Sequence, residues 1–340
     1  MVNTKKNYSN ISVLKIIACF MITVLHIIGN DGTYLQIFVY LVGSYGIPLF
    51  FLVNGFLLYD RNFTFEYYKN KIIKCIRFFL LWTISIGLAK SIILKSPVQI
   101  IYVVSGAILA KDSLYHLWFL ITLMLIYTAV FLIQKYLTGR NKTIQDIIST
   151  KTMLIIVLLM NIIFLYSIVA GIAGLPEIRN ILPVPFRLIT FGGYYYLGMY
   201  IHKYNDKIIN KFNPTVSLLV AVISFICICA VSKFSGIIWA SSYYSCLFVI
   251  IGCISLYCLI TQLKYFDKHT KIINNLSITT TGIWIIHPFA NKAFIKMLSY
   301  TGIEYNFYIR FISLLIILIS CYIAVKFMIK LKYIRKYVTF

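Results

Sequence analysis

Ten apolar runs, each close to the length that crosses a bilayer as a helix, follow one another along this chain and leave little room for any other kind of fold. They fall at roughly 11–30, 36–59, 72–94, 115–136, 152–171, 186–202, 215–231, 241–262, 276–298 and 307–330. The chain has 340 residues, of which 61% are hydrophobic and only 12% charged. A water-soluble domain carries about 25% charged residues, and no soluble fold of this size hides so much apolar surface. The expectation is an all-α, polytopic integral membrane bundle of about ten transmembrane helices. It forms a single domain over 1–340 and passes many times through the cell membrane. The 186–202 run is short and holds Gly192, Gly193 and four tyrosines. The 97–110 stretch is apolar but too short to span, which suits a re-entrant or interfacial segment.

Charge sets the orientation. The net charge is +23, which in a soluble chain points to nucleic acid. Here the cations sit in short loops between apolar runs, so they read as topology signals and as a surface for anionic membrane lipid, with no nucleic-acid partner. With the N-terminus placed inside, 22 of the 32 Lys and Arg residues fall in the inner loops and tail, and eight fall outside. Both termini are therefore expected in the cytoplasm. The first run lacks a small-residue cleavage site, so it reads as a retained helix and not a signal peptide. The eight cysteines lie in apolar stretches without CxxC or Cys/His ligand spacing. Neither a disulfide nor a metal site is expected.

His26 lies deep in the first run, and Lys15 precedes it by eleven residues. Eleven steps at 3.6 residues per turn return to nearly the same face, roughly 16 Å along the axis. Ionisable groups inside a transmembrane helix are costly and usually functional. Asp31, in the outer loop, is placed to orient or charge-balance the imidazole. In the second run, Pro48 releases a backbone carbonyl and Gly55 allows close approach of a helix or ligand, while Asn54 is a buried amide in need of partners. Lys71, Lys74 and Arg77 recur at spacings of three along the inner end of the third helix. They suit a polyphosphate or anionic head group as well as simple inner-face anchoring. His116 and Trp118 open the fourth long helix on the same expected side as His26, as a shared site or as part of an aromatic belt. His287 precedes Pro288, a helix breaker that exposes backbone groups beside it.

Taken in order, these segments resemble the acyltransferase-3 family of membrane acyltransferases. The similarity lies in Lys15 and His26 as the basic-x10-His pair and in residues 46–56 as the Gly-x-Pro-Leu-Phe-Phe block, with Asn54 at the usual Ser position. It continues in Lys71, Lys74 and Arg77 as the basic repeat, where the family usually has arginines, and in His116–Leu120 with the later Tyr127. Tyr194–Tyr200 matches a further block, and residues 282–288 match the Gly-Ile-Tyr-x-x-His-Pro block, with Trp284 replacing Tyr. The resemblance spans about 8–330. It implies transfer of an acyl group, most often acetyl, from cytoplasmic acyl-CoA to a hydroxyl of an extracytoplasmic polysaccharide, glycan or lipid-linked precursor. His26 and His116 would act with Asp31, the donor would meet Lys15, Lys71, Lys74 and Arg77, and Asn54, Trp118, Tyr127, Trp284 and His287 would line the site. Many family members carry an added extracellular transferase domain; this chain shows none, so the membrane domain is expected to act alone or with separate envelope-biosynthesis proteins.

The rival reading is a transporter or exporter of polysaccharide or of a small polar solute, with the same cations and histidines lining a permeation route. A weaker third is a structural scaffold for envelope assembly. The orientation is directly testable. A reporter fused after Phe340 is expected to be active only in the cytoplasm; activity outside the cell overturns the inner-terminus assignment.

Overall fold

The computed structural model describes residues 9–61, 63–96, 99–109, 114–263 and 265–339. Every described element is helical. The order is α1 (Ser9–Ile28), α2 (Tyr34–Leu41), a 3-10 turn (Val42–Tyr45), α3 (Gly46–Tyr59), α4 (Phe65–Leu94), α5 (Gln99–Leu109), α6 (Trp118–Thr138) and α7 (Ile144–Ile147). Then come α8 (Thr150–Ala173), α9 (Ile178–Ile181), α10 (Pro183–Lys203), α11 (Asn205–Ile209), α12 (Pro214–Ser235) and α13 (Leu247–Gln262). The chain closes with α14 (Tyr265–Lys268), α15 (Thr270–Ser299), α16 (Phe307–Lys330) and α17 (Lys332–Val338).

Among the described residues, seven spans are long and apolar enough to cross a membrane: α1, α2–α3 together, most of α4, then α6, α8, α12 and α16. The other three expected runs are helical as well, but each differs for a chemical reason. α13 is apolar with only 16 residues. α10 mixes Arg187, His202 and Lys203 with its tyrosines, and α15 carries Asn, Thr and Lys along 30 residues. Segment 36–59 is not one smooth helix: the 3-10 turn divides it. Pro48 sits in the first turn after that break, where its missing N–H costs least. Within the short 97–110 stretch, the described residues Gln99–Leu109 form the 11-residue helix α5.

Helix ends are written in side chains. Thr33, Thr64, Ser149, Asn213 and Asn306 each accept a hydrogen bond from the backbone N–H three residues on, which caps α2, α4, α8, α12 and α16. Within the helices, hydroxyls turn back onto their own backbone: Thr23 donates to the Cys19 carbonyl at 2.9 Å, Thr83 to Phe79 at 2.8 Å and Ser167 to Ile163 at 2.9 Å. This satisfies polar groups in a setting without water. Exposed apolar side chains run in helical stripes, with Leu154, Leu158, Ile162, Leu165, Val169 and Ile172 along α8. Stripes of that kind suit lipid contact.

Two compact units emerge, 9–59 with 149–339 and 60–148. In the first, α3 and α10 cross most closely. A Cβ on Gly55 would strike the Tyr195 carbonyl, and one on Gly198 would strike the Leu52 carbonyl. Each helix therefore presents a glycine to the other's backbone, as small-residue packing in membranes requires. Leu49, Phe51, Leu52, Val53, Tyr194 and Tyr195 are buried around that crossing. In the second unit, α4 packs on α5 and α6. Gly198→Ala is expected to destabilise the fold by about 1–3 kcal/mol, because backbone has to move. Gly192→Ala, at a position with no neighbour within 4 Å, should be neutral; thermal unfolding in detergent compares the two.

Candidate functional site

α1 and α15 run in the same direction and share a polar seam. Ser12 donates to Asn274 at 2.8 Å, the Cys19 thiol lies 3.5 Å from the Thr280 carbonyl, and the His26 ring stacks on His287 with centroids 5.2 Å apart and planes at 27°. The α1 positions 12, 19 and 26 are seven apart, the repeat of helices that wrap around each other. Lys15 occupies the companion position of that repeat and, eleven residues before His26, shares its face of α1. The shared stripe expected for Lys15 and His26 is thus a helix–helix contact line, and its partner helix carries the second histidine.

His287 is fully buried on α15. Its Nδ1 lies 3.1 Å from the Ile283 carbonyl. A carbonyl only accepts, so Nδ1 is the nitrogen that carries a proton in this contact. One turn on, Asn291 shares this face. Its Nδ2 reaches the His26 carbonyl at 3.5 Å, and its Oδ1 accepts from the Tyr305 hydroxyl at 2.8 Å. Tyr305 also contacts Ser313 at 3.1 Å. Burial pushes the Tyr305 phenol above its ordinary value.

An ion pair closes the end of the seam. Arg310, from the first turn of α16, donates to both Asp31 oxygens at 2.6 and 2.7 Å and to the Ile28 carbonyl at 2.7 Å. Gln36 from α2 donates to Ile28 at 2.8 Å and to Asp31 at 3.0 Å. Gly29, at φ +68°, turns the chain so that the last carbonyl of α1 is offered to these donors. The Arg310 hydrogen bond holds the Asp31 carboxyl below the usual carboxylate range. Asp31 therefore serves the cap of α1. Its carboxylate is taken up by Arg310 and Gln36, and its bearing on His26 runs through the two-residue turn that follows Ile28.

The other expected residues are placed as follows. Asn54 is half-buried and donates to the Phe50 carbonyl on its own helix at 2.8 Å. Trp284 is half-buried on α15, four residues before Pro288, whose ring nitrogen has no proton to donate back to it. In the 60–148 unit, His116 is buried in the 3-10 turn ahead of α6, and Trp118 is half-buried at the helix start. Lys71 lies over the rings of Tyr67 and Tyr127 at 5.5 and 5.9 Å. Lys71 and Lys74 are half-buried, whereas Arg77 is exposed; spacings of three drift around the helix, and the third cation has turned away from the first.

Arg310, Tyr305, Asn291 and Gln36 were not singled out by sequence. Asn291 had a signal, standing four residues after His287 in an apolar helix. His202 had one too: its Nδ1 lies 2.9 Å from the Phe56 carbonyl, and its ring stacks on Tyr59 at 4.8 Å. The described residues hold no cluster of three or more His, Cys, Asp or Glu side chains arranged for a metal ion.

The chain is thus a polytopic helical protein with an imidazole pair on one helix–helix seam. The family model described as an acyltransferase domain, of the acyltransferase-3 type, matches residues 8–325, and the chain belongs to that family. It is a membrane acyltransferase. No curated protein and no solved structure matches it.

The Asp31–Arg310 pair makes a linked prediction. Asp31→Asn and Arg310→Gln should each lower the melting temperature in detergent, and the double variant should cost less than the sum. Because the folded carboxyl titrates below its unfolded value, this contribution is complete at neutral pH. It disappears only as pH falls below the ordinary carboxylate value and through the folded one; the difference between native and Asp31→Asn proteins should vanish over that range.

Proposed function

We propose that the protein is an O-acyltransferase, most simply an O-acetyltransferase, using acyl-CoA as donor and a hydroxyl of an extracytoplasmic polysaccharide or glycan precursor as acceptor. The observation that carries this reading is the His26–His287 stack on the α1–α15 seam. His26 is the base: it takes the acceptor hydroxyl proton as that oxygen attacks the thioester carbonyl. The C–S bond then breaks, the thiolate leaves, and the ester forms. His287 positions the ring it stacks on, with its own tautomer held by Ile283. Lys15, on the same face of α1 and about 16 Å away along the axis, meets the donor. Lys71, Lys74 and Arg77 are assigned to the donor, with Tyr127 against Lys71, and His116 to acid–base work; membership of the family supports these assignments.

The reading includes ten passes with both termini inside, counting α10, α13 and α15 among the spans. The parallel run of α1 and α15, the first and ninth apolar segments, supports it: two odd-numbered passes have to point the same way. It also includes a place in the cell membrane beside glycan-building envelope proteins.

The test is transfer of labelled acetyl from acetyl-CoA to a cell-surface glycan. His26→Ala, expressed at the native level with the native melting temperature, should lose at least about 100-fold of the transfer rate. Retained transfer in that variant overturns the assignment. Movement of solute into vesicles without CoA would favour the transporter instead.

A further inference from the structure

α15, α16 and α17 contain no Asp or Glu, yet they bring three cations around one space. A groove of 530 Å³ opens among these helices and is lined by Lys326 and Lys330 of α16, Arg335 of α17 and Asn275 of α15. The lysines are four apart and so lie on one face. Arg335 is held across from them because α17 folds back after Leu331 and buries Val338 completely against the bundle. Lys326 rests over the Tyr322 ring at 5.4 Å, and none of the three cations meets a carboxylate among the described residues. The groove is therefore a built concavity with uncompensated positive charge, not a loose basic tail.

Its other wall is apolar, with Ile278, Leu276 and Ile329. On α16 the exposed stripe Ile312, Leu315, Ile319, Ile323 and Phe327 ends where Lys326 and Lys330 begin. Lipid-facing carbon thus gives way to cation within one helical turn, which is the level of a phospholipid head group. A free phosphate would use the cations and leave the apolar wall wet. A zwitterionic lipid would bring its own cation to three others.

We propose that this groove is a binding site for one anionic phospholipid, its phosphate between Lys326, Lys330 and Arg335 and its chains along Ile278 and Ile329. Lysine and arginine together suit a phosphodiester, with the guanidinium giving paired donors. The proposal stands apart from the acyl-transfer reading and does not use its residues.

The full chain, purified in detergent and mixed with phosphatidylglycerol or phosphatidylcholine, can be weighed intact by native mass spectrometry. The native protein should retain one phosphatidylglycerol at least tenfold more than phosphatidylcholine. The triple variant Lys326→Gln, Lys330→Gln, Arg335→Gln should lose that preference, while Lys207→Gln, Lys211→Gln, Lys268→Gln keeps it. Equal retention of the two lipids by the native protein overturns the proposal without any variant. So does equal loss in both triple variants, or displacement of the lipid by millimolar inorganic phosphate or CoA, which would make the groove a site for free phosphate.

Discussion

The parallel packing of α1 on α15 is the contact on which the rest of the structure turns. Two helices far apart in the chain meet in register, so that three polar side chains of α1 each meet a group of α15: Ser12 the Asn274 amide, Cys19 the Thr280 carbonyl and His26 the His287 ring. In an apolar medium an unmatched polar group is expensive. A one-residue slip would rotate these side chains by 100° and leave them without their partners. The seam thus carries its own register, and the register brings the imidazoles together.

The end of the seam is held by charge. Arg310 gathers the last carbonyl of α1, the Asp31 carboxylate and the Tyr305 backbone and ring into one cluster, with bonds as short as 2.6 Å. A cation at a helix C-terminus is favourable by itself, and a bidentate carboxylate adds direction to it. Tyr305 and Asn291 then continue from this cluster to the backbone of His26. The histidine pair therefore sits between the Arg310 cap and the packed run of α1 and α15, which restrains the ring positions.

Much of this was legible in residue order, and the parts that were not share a cause. The run from Ile11 to Ile28 announced a membrane helix, and the eleven-residue interval from Lys15 to His26 announced a common face. The basic repeat also announced itself, though its spacing of three carried Arg77 around to an exposed side. What could not be read was pairing between distant segments. Asp31 lies five residues from His26 and looked like its partner, yet its carboxylate binds Arg310, 279 positions away. His287 looked like a residue at a proline break; only the fold stacks it on His26.

Residue order alone settled the helical, membrane-spanning character of this protein and its family, because apolar length, charge bias and ordered motifs are properties of a one-dimensional string. The helix ends were decided the same way, by Thr, Ser and Asn caps acting over three residues. Which helices touch, in which direction and around which side chains was decided by tertiary packing. Those choices depend on matching polar groups and glycine contacts such as Gly55 with Tyr195 and Gly198 with Leu52, across segments more than a hundred residues apart, and periodicity within one segment carries no information about the face it will meet.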